Sequence, residues 1–164
     1  MQDMLVHLLN LPDISDLIRN LEEKEHIQIF KALPPDKTQI VRWAAEHFSS
    51  SGGDEVDVSF KNTPPSTYVA VHDGEIIGFA SYNATAPDFF GPTKVDERFQ
   101  GKGVGKALLI RALQAMREEG YVYAIIGGVG PVKFYEKCVG AQLIPDSDPG
   151  VYRYFIRTMK KQVE

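Results

Sequence analysis

The sequence predicts a mixed α/β fold in a single domain that covers residues 1–164. One observation is a glycine-rich loop, Gln100–Gly105, that runs directly into an amphipathic helical pattern. A second is the alternation of β-branched and aromatic runs with helical patterns along the chain, which interleaves strands and helices. The length of 164 residues is sufficient for one core, because a chain of this size buries roughly two-thirds of its unfolded surface.

The helix that follows the glycines has a complete apolar stripe. Its members are Leu108, Leu109, Ala112, Leu113 and Met116, and Gly120 stands in the position of a C-terminal cap. The glycines therefore precede a helix N-terminus, where about four backbone N–H groups lack helical partners and the macrodipole is positive. Without Cβ atoms a ligand can approach this backbone closely, so the loop is a candidate phosphate site.

Three phosphate-binding motifs compete for the loop. A dinucleotide motif, G-x-G-x-x-G, would need glycine where Lys106 or Leu108 stands, and a P-loop would need glycine and a hydroxyl where Gln100 and Ala107 stand. The pattern [Gln/Arg]-x-x-Gly-x-[Gly/Ala] fits Gln100–Gly105. A glycine turn that merely joins a strand to a helix is the structural alternative.

The chain after this helix continues in a defined order. A β-rich run, Tyr121–Ile126, is followed by the glycine loop Gly127–Pro131 and then by a short helix that carries Phe134 and Tyr135 and ends at Gly140. The motif and this order together resemble the GCN5-related N-acetyltransferase (GNAT) superfamily, best from about Thr67 to Arg157.

The resemblance implies a central, mostly antiparallel sheet that splays between two strands and is flanked by helices. Residues 66–158 would form the acetyl-CoA-binding core, and residues 1–65 would shape the acceptor site. Backbone groups near Val95 would bind the pantetheine arm, and Tyr135 would protonate the leaving thiolate. The diphosphate would be held by the loop residues Gln100, Gly101, Lys102, Gly103, Val104, Gly105 and Lys106.

The general base is harder to assign. A protonated alkyl amine loses its proton at a cost of roughly 4 to 5 kcal/mol at neutral pH, so a proton acceptor is needed. The strand Phe89–Val95 carries no carboxylate, which makes Asp88 the first candidate, although a residue after Pro87 also suits a turn. Weaker candidates are His72, His47 and Glu46.

Two other residues bear on the chemistry. Relatives commonly carry asparagine where Gly128 stands, so a side-chain contact to the cofactor is expected to be lost there. Cys138 lies one helical turn after Tyr135, and a covalent acetyl-cysteine is chemically conceivable. The resemblance implies direct transfer in a ternary complex instead, with Cys138 as a small core residue.

The remaining elements are predicted from pattern and turn residues. We expect a flexible turn at Ser49–Gly53 and Pro92 at an edge, bulge or splay. Strands are predicted at Met4–Leu9, Val56–Phe60, Thr67–Val71, Glu75–Tyr82, Phe89–Val95 and Val151–Arg157, and helices are predicted to begin after Asp13 and at Asp36.

Composition limits the function classes. A net charge of −4 argues against nucleic acid, no apolar run reaches the ~18 residues of a membrane span, and no basic start suggests a signal peptide. We therefore expect a cytoplasmic protein. The single cysteine excludes an internal disulfide, and no Cys/His spacing predicts a metal.

The resulting hypothesis is an N-acetyltransferase that uses acetyl-CoA, no metal, and a small-molecule or peptide amine as acceptor, with a homodimer favoured by the resemblance. A non-catalytic acyl-CoA sensor and a different nucleotide-phosphate binder remain as alternatives.

Overall fold

The computed structural model describes residues 1–161 and confirms the mixed α/β fold. A seven-stranded sheet has the order β2-β3-β4-β5-β6-β1-β7, and all neighbours are antiparallel except the parallel pair β5–β6. The strands are β1 (Met4–His7), β2 (Ile27–Lys31), β3 (Thr67–His72), β4 (Glu75–Tyr82), β5 (Phe89–Val95), β6 (Tyr123–Ile126) and β7 (Gln142–Leu143).

Helices cover both faces of this sheet. The helices are α1 (Ser15–Glu23), α2 (Lys37–His47), α3 (Ser50–Ser59), α4 (Val104–Glu118), α5 (Val132–Val139) and α6 (Ile156–Lys161). The stripe of α4 packs with α1 in the larger core cluster, whereas α2 and α3 share a second cluster with Val69 and Phe79. Phe79 and Ala80 fall in different clusters because successive strand residues point to opposite faces. No helix within residues 1–161 combines the length and the apolar character that crossing a membrane requires.

The first strand pairs with two strands that are distant from it in the sequence. β1 pairs antiparallel with β6, Met4 opposite Ile126, and on its other side with β7. The strand predicted at Met4–Leu9 therefore forms, although it is shorter. The strand predicted at Val151–Arg157 is wrong, because this segment is helical and takes no place in the sheet. That part of the chain forms a 3₁₀ turn, Gly150–Tyr154, and then α6.

The region after α2 also differs from the prediction. The turn at Ser49–Gly53 and the strand at Val56–Phe60 are wrong, because the helix α3 spans both. Ser49 caps this helix by accepting the N–H of Gly52 at 2.9 Å. A Cβ at Gly53 would lie 2.9 Å from Ala45 Cβ, so glycine permits α3 to pack closely on α2.

β5 and β6 separate after a short pairing. Phe89 and Phe90 lie opposite Ile125 and Ile126, and β5 then continues to Val95 without β6 beside it. The register between β4 and β5 shifts at the level of Gly91–Pro92, so Pro92 lies at a bulge, as predicted. The result is an opening between the second half of β5 and the loop that follows β6.

Candidate active site

A cavity of about 970 Å³ lies over the opening between β5 and β6. Residues 89–93 of β5 form one side and residues 126–131 the other. The remaining walls come from α3 and from the C-terminal residues 148–161. The cavity thus lies where the predicted fold would bring a thioester and an amine together.

The glycine loop ends at the N-terminus of α4. The carbonyl of Gly103 accepts the first helical bond, from the Ala107 N–H at 3.0 Å, so the N–H groups of Val104, Gly105 and Lys106 have no partner within the helix. Gly103 has φ +90°, and a Cβ there would lie 2.7 Å from Leu17 Cδ1, so this glycine is required by the fold.

Gly105 is not required in the same way. A Cβ there would lie 3.6 Å from Phe134 Cζ and 3.7 Å from Val95 Cγ2, which is ordinary contact. Packing alone therefore tolerates a side chain at Gly105. A ligand that approaches the helix N-terminus explains glycine better, and the unpartnered N–H groups suit a diphosphate.

Two predicted side chains have partners elsewhere in the fold. Gln100 Nε2 donates to the Val95 carbonyl at 3.3 Å, which brings these two predicted cofactor residues together. Lys102 Nζ forms an ion pair with Glu25 Oε2 at 2.7 Å. The Lys102 ammonium group is therefore already paired with a carboxylate in this arrangement.

Tyr135 lies where β5 and β6 separate. It is 6% exposed, lines the cavity, and packs edge-on against the Phe90 ring at 6.3 Å. Burial, and to a smaller extent Cys138, raises the pKa of Tyr135 to about 12. Tyr135 is therefore protonated at neutral pH and can donate a proton.

Cys138 is on the same helix but faces a different cavity, of about 590 Å³, together with His7 and Gln142. Burial raises the pKa of the Cys138 thiol, with Lys106 acting in the opposite direction. A raised pKa reduces the thiolate that a nucleophile needs.

Asp88 lies before the paired residues of β5. Its carbonyl accepts the Ile125 N–H at 3.0 Å, and its own N–H donates to Asn83 Oδ1 at 2.8 Å. Burial raises the pKa of Asp88, and within residues 1–161 its Oδ1 is buried without a hydrogen-bond partner. Asp88 is not among the residues that line the large cavity. Its catalytic role stays a prediction.

A carboxylate that the sequence analysis did not consider does line the cavity. Glu55 on α3 accepts two hydrogen bonds at Oε1, from Thr85 Oγ1 at 2.9 Å and from the Tyr152 hydroxyl at 2.8 Å. Burial, then the charge of Glu55, raises the pKa of Tyr152 to about 12, so Tyr152 is the donor. Glu55 was missed at the sequence level because a turn and a strand were predicted where the helix α3 lies.

Gly128 stands where relatives commonly carry asparagine, and residues that are distant in sequence hold it in place. The buried carboxylate of Asp3 accepts the Gly128 N–H at 2.9 Å. The Tyr152 ring covers Gly128, since a Cβ there would lie 3.3 Å from Tyr152 Cε2. The loop after β6 is thus held by two side chains that are distant in sequence.

A splayed parallel strand pair, a glycine loop at a helix N-terminus and a buried tyrosine at the opening are the features that the sequence analysis expects of the acetyltransferase fold. Residues 26–141 match the model of the acetyltransferase (GNAT) family, and the chain belongs to this family.

Solved structures show the same fold. The GCN5-related glucosamine N-acetyltransferase region of a fungal multi-domain GH3 β-N-acetylglucosaminidase is 14% identical, with a TM-score of 0.68 over 87% of this chain. A GCN5-related N-acetyltransferase from Sphaerobacter thermophilus is 18% identical, with a TM-score of 0.61 over 87% of this chain. This chain spans 19% and 48% of the length of those two.

A GNAT family acetyltransferase from Brucella melitensis, solved in complex with acetyl-CoA, is 22% identical, with a TM-score of 0.51 over 73% of this chain and 87% of its own. No curated protein matches this chain significantly.

Proposed function

We propose that the protein is an N-acetyltransferase that moves an acetyl group from acetyl-CoA to a primary amine by direct attack in a ternary complex. One observation carries the proposal. The strand β5, which forms one side of the opening, ends at Val95, whose Cγ2 lies 3.7 Å from the Cβ position of Gly105 at the N-terminus of α4, and the opening leads into a cavity lined by Tyr135.

The chain offers a set of groups that fits acetyl-CoA. The N–H groups of Val104, Gly105 and Lys106 would hold the diphosphate, and the α4 macrodipole favours its negative charge. The Val95 carbonyl would bind the pantetheine amide once the Gln100 side chain turns away. The thioester supplies the acetyl group, and these residues only orient it.

Tyr135 would supply the proton that the departing sulfur needs. Its hydroxyl is protonated at neutral pH, and its ring is fixed between Phe90 and Phe134. Cys138 faces the other cavity, which supports direct transfer over a covalent acetyl-cysteine.

The acceptor would be an amine. The partly buried carboxylate of Glu55 lines the cavity together with the aromatic rings of Phe48, Phe89 and Tyr152, and the exposed acidic and basic side chains of Asp54, Asp148, Arg157 and Lys161 also line it. The Glu55 carboxylate would attract the ammonium group, and the aromatic rings would pack on apolar faces of the acceptor. Since one structural neighbour is a glucosamine N-acetyltransferase region, an amino sugar belongs in the acceptor screen.

The test is a parallel calorimetric titration with acetyl-CoA, CoA, ATP and NAD, followed by thiol release with glucosamine, spermidine, lysine and a lysine-containing peptide. We expect binding of the two CoA species only, and thiol release with at least one amine. Binding of acetyl-CoA without thiol release would favour the acyl-CoA sensor. Binding of ATP or NAD instead would overturn the proposal.

A further inference from the structure

We infer that Glu55 is the catalytic residue that binds the acceptor ammonium group and removes its proton, with Tyr152 and Thr85 as positioning residues. The inference rests on the proposed function and assigns the proton acceptor that the reaction needs. It is carried by the hydrogen bonds at one Glu55 oxygen and by the cavity that the side chain shares with Tyr135.

The two donors leave one side of the carboxylate available. Thr85 and Tyr152 both donate to Oε1, and within residues 1–161 the second oxygen, Oε2, receives no hydrogen bond. Two hydroxyl donors from separate segments fix the carboxylate more firmly than a solvated side chain would be fixed. Oε2 can therefore accept a hydrogen bond from an ammonium group in the cavity.

Other carboxylates fit this role less well. Asp54 also lines the cavity but is exposed, and it makes no hydrogen bond with another side chain in the part of the chain described. The side chain of Asp148 is 61% exposed, so water competes for its charge. Asp88 lies outside the cavity lining. Among the carboxylates of residues 1–161, Glu55 alone combines cavity lining, partial burial and fixed geometry.

The proton and electron balance is complete with these residues. Glu55 Oε2 takes one proton from the ammonium group, which frees the nitrogen lone pair. The C–N bond forms at the acetyl carbonyl carbon while the C–S bond breaks. Tyr135 gives its proton to the sulfur and is reprotonated by the second proton that leaves the nitrogen. Glu55 then releases the first proton to water, so the products are an amide, a thiol and one released proton.

Tyr152 connects Glu55 on α3 to the loop that follows β6. Its ring covers Gly128 in the loop after β6, and its hydroxyl reaches Glu55 on α3. Tyr152 thereby fixes the distance between the carboxylate and the opening from which the thioester would be presented. Loss of its hydroxyl should loosen Glu55 without removing the carboxylate.

The experiment compares Glu55→Gln with Asp54→Asn, a neighbouring carboxylate of the same cavity, in the full chain. Glucosamine, spermidine and lysine serve as probe amines. We expect Glu55→Gln to lower kcat/KM by about 100-fold at neutral pH. Asp54→Asn should stay within about threefold. Acetyl-CoA affinity should be unchanged in both variants.

The pH profile separates catalysis from a structural role. An enzyme without its proton acceptor depends on free amine in solution, so the gap between Glu55→Gln and the native protein should narrow as the pH rises towards the pKa of the amine. A gap that stays constant with pH, or equal losses in Asp54→Asn, would overturn the inference.

Tyr152→Phe keeps the ring on Gly128 and removes only the donor. We expect kcat/KM to fall about tenfold, and the shape of the native pH profile to persist because Glu55 is still present. A profile shaped like that of Glu55→Gln, or no change in rate, would contradict a positioning role.

These outcomes distinguish the two proposals. Native activity with an unaffected Glu55→Gln variant removes Glu55 from the mechanism and leaves the transferase function intact. A native protein that binds acetyl-CoA but acetylates no probe amine overturns the proposed function, and the proton-accepting role of Glu55 falls with it.

Discussion

The proposed cofactor side and the proposed acceptor side of the molecule are built in different ways. On the cofactor side, the strand end at Val95, the glycine loop and the first turn of α4 form one continuous segment. On the acceptor side, Glu55, Thr85 and Tyr152 come from three segments that meet only in the folded chain. A contiguous motif can be recognised locally, whereas an assembled site requires the tertiary structure.

Similarity to known proteins follows this division only in part. The family match covers residues 26–141, which include the whole cofactor side together with Glu55 and Thr85 of the acceptor side. It ends before the C-terminal residues that supply Tyr152 and Phe155 to the cavity. The two sides should therefore respond separately to mutation, cofactor binding on one and acceptor kinetics on the other.

The largest effect is expected for a substitution at Gly105, which should weaken acetyl-CoA binding. Gly105→Glu places a carboxylate where the diphosphate would bind, and we expect acetyl-CoA affinity to fall by about 100-fold. The fold should remain, because a Cβ fits there and an acidic residue suits a helix N-terminus.

Gly105→Ala is the matched control, with at most about a tenfold loss and an equal or higher Tm. Calorimetry and thermal unfolding measure both effects. Full acetyl-CoA binding by Gly105→Glu would mean that the diphosphate lies elsewhere.

The second prediction distinguishes turnover from cofactor affinity at Tyr135. Tyr135→Phe removes the hydroxyl but keeps the packing against Phe90, so kcat should fall by at least about tenfold. Acetyl-CoA affinity should stay the same in a direct titration. An unchanged kcat under conditions where chemistry limits turnover would remove Tyr135 from the mechanism.

Phe155 tests the acceptor side alone. It lines the cavity and is 37% exposed, so Phe155→Ala should raise the acceptor KM about three- to fivefold through lost apolar contact. Tyr154→Ala is the control, since Tyr154 is 78% exposed and lies outside the lining. Steady-state kinetics with acetyl-CoA saturating would detect the effect, and equal effects of both variants would contradict it.

The smallest effect is expected at Lys102. Its ammonium is paired with Glu25, and the partners are 39% and 32% exposed. Lys102→Ala should therefore change acetyl-CoA affinity by less than about threefold and the Tm only slightly. A loss as large as that of Gly105→Glu would show that the lysine leaves Glu25 to bind phosphate.

The sequence predicted the helices of the cofactor side well because their signals are short-range. The stripe of α4 and the helix that ends at Gly140 each depend on residues within one element. Gly140 indeed adopts φ +64° at the end of α5.

The acceptor side was predicted poorly because its alternating patterns are ambiguous. Val56 and Val58 alternate as in a strand, yet only Val56 is buried, since α3 turns Val58 towards solvent. The run of valine, isoleucine and aromatic residues at Val151–Arg157 was also misleading, because this segment forms a 3₁₀ turn and the start of α6 with no buried residue. By contrast, β2 had a usable pattern that was overlooked, with buried Ile27 next to exposed Gln28.

The position of β1 between β6 and β7 also constrains how the chain can fold. Met4 pairs with Ile126, so β1 and β6 can pair only after the chain has been synthesised as far as residue 126. Such pairing raises the contact order, and closing the long loop between the two strands has an entropic cost. Folding should therefore be slow, and a nascent chain halted before β6 would expose an apolar strand with no partner.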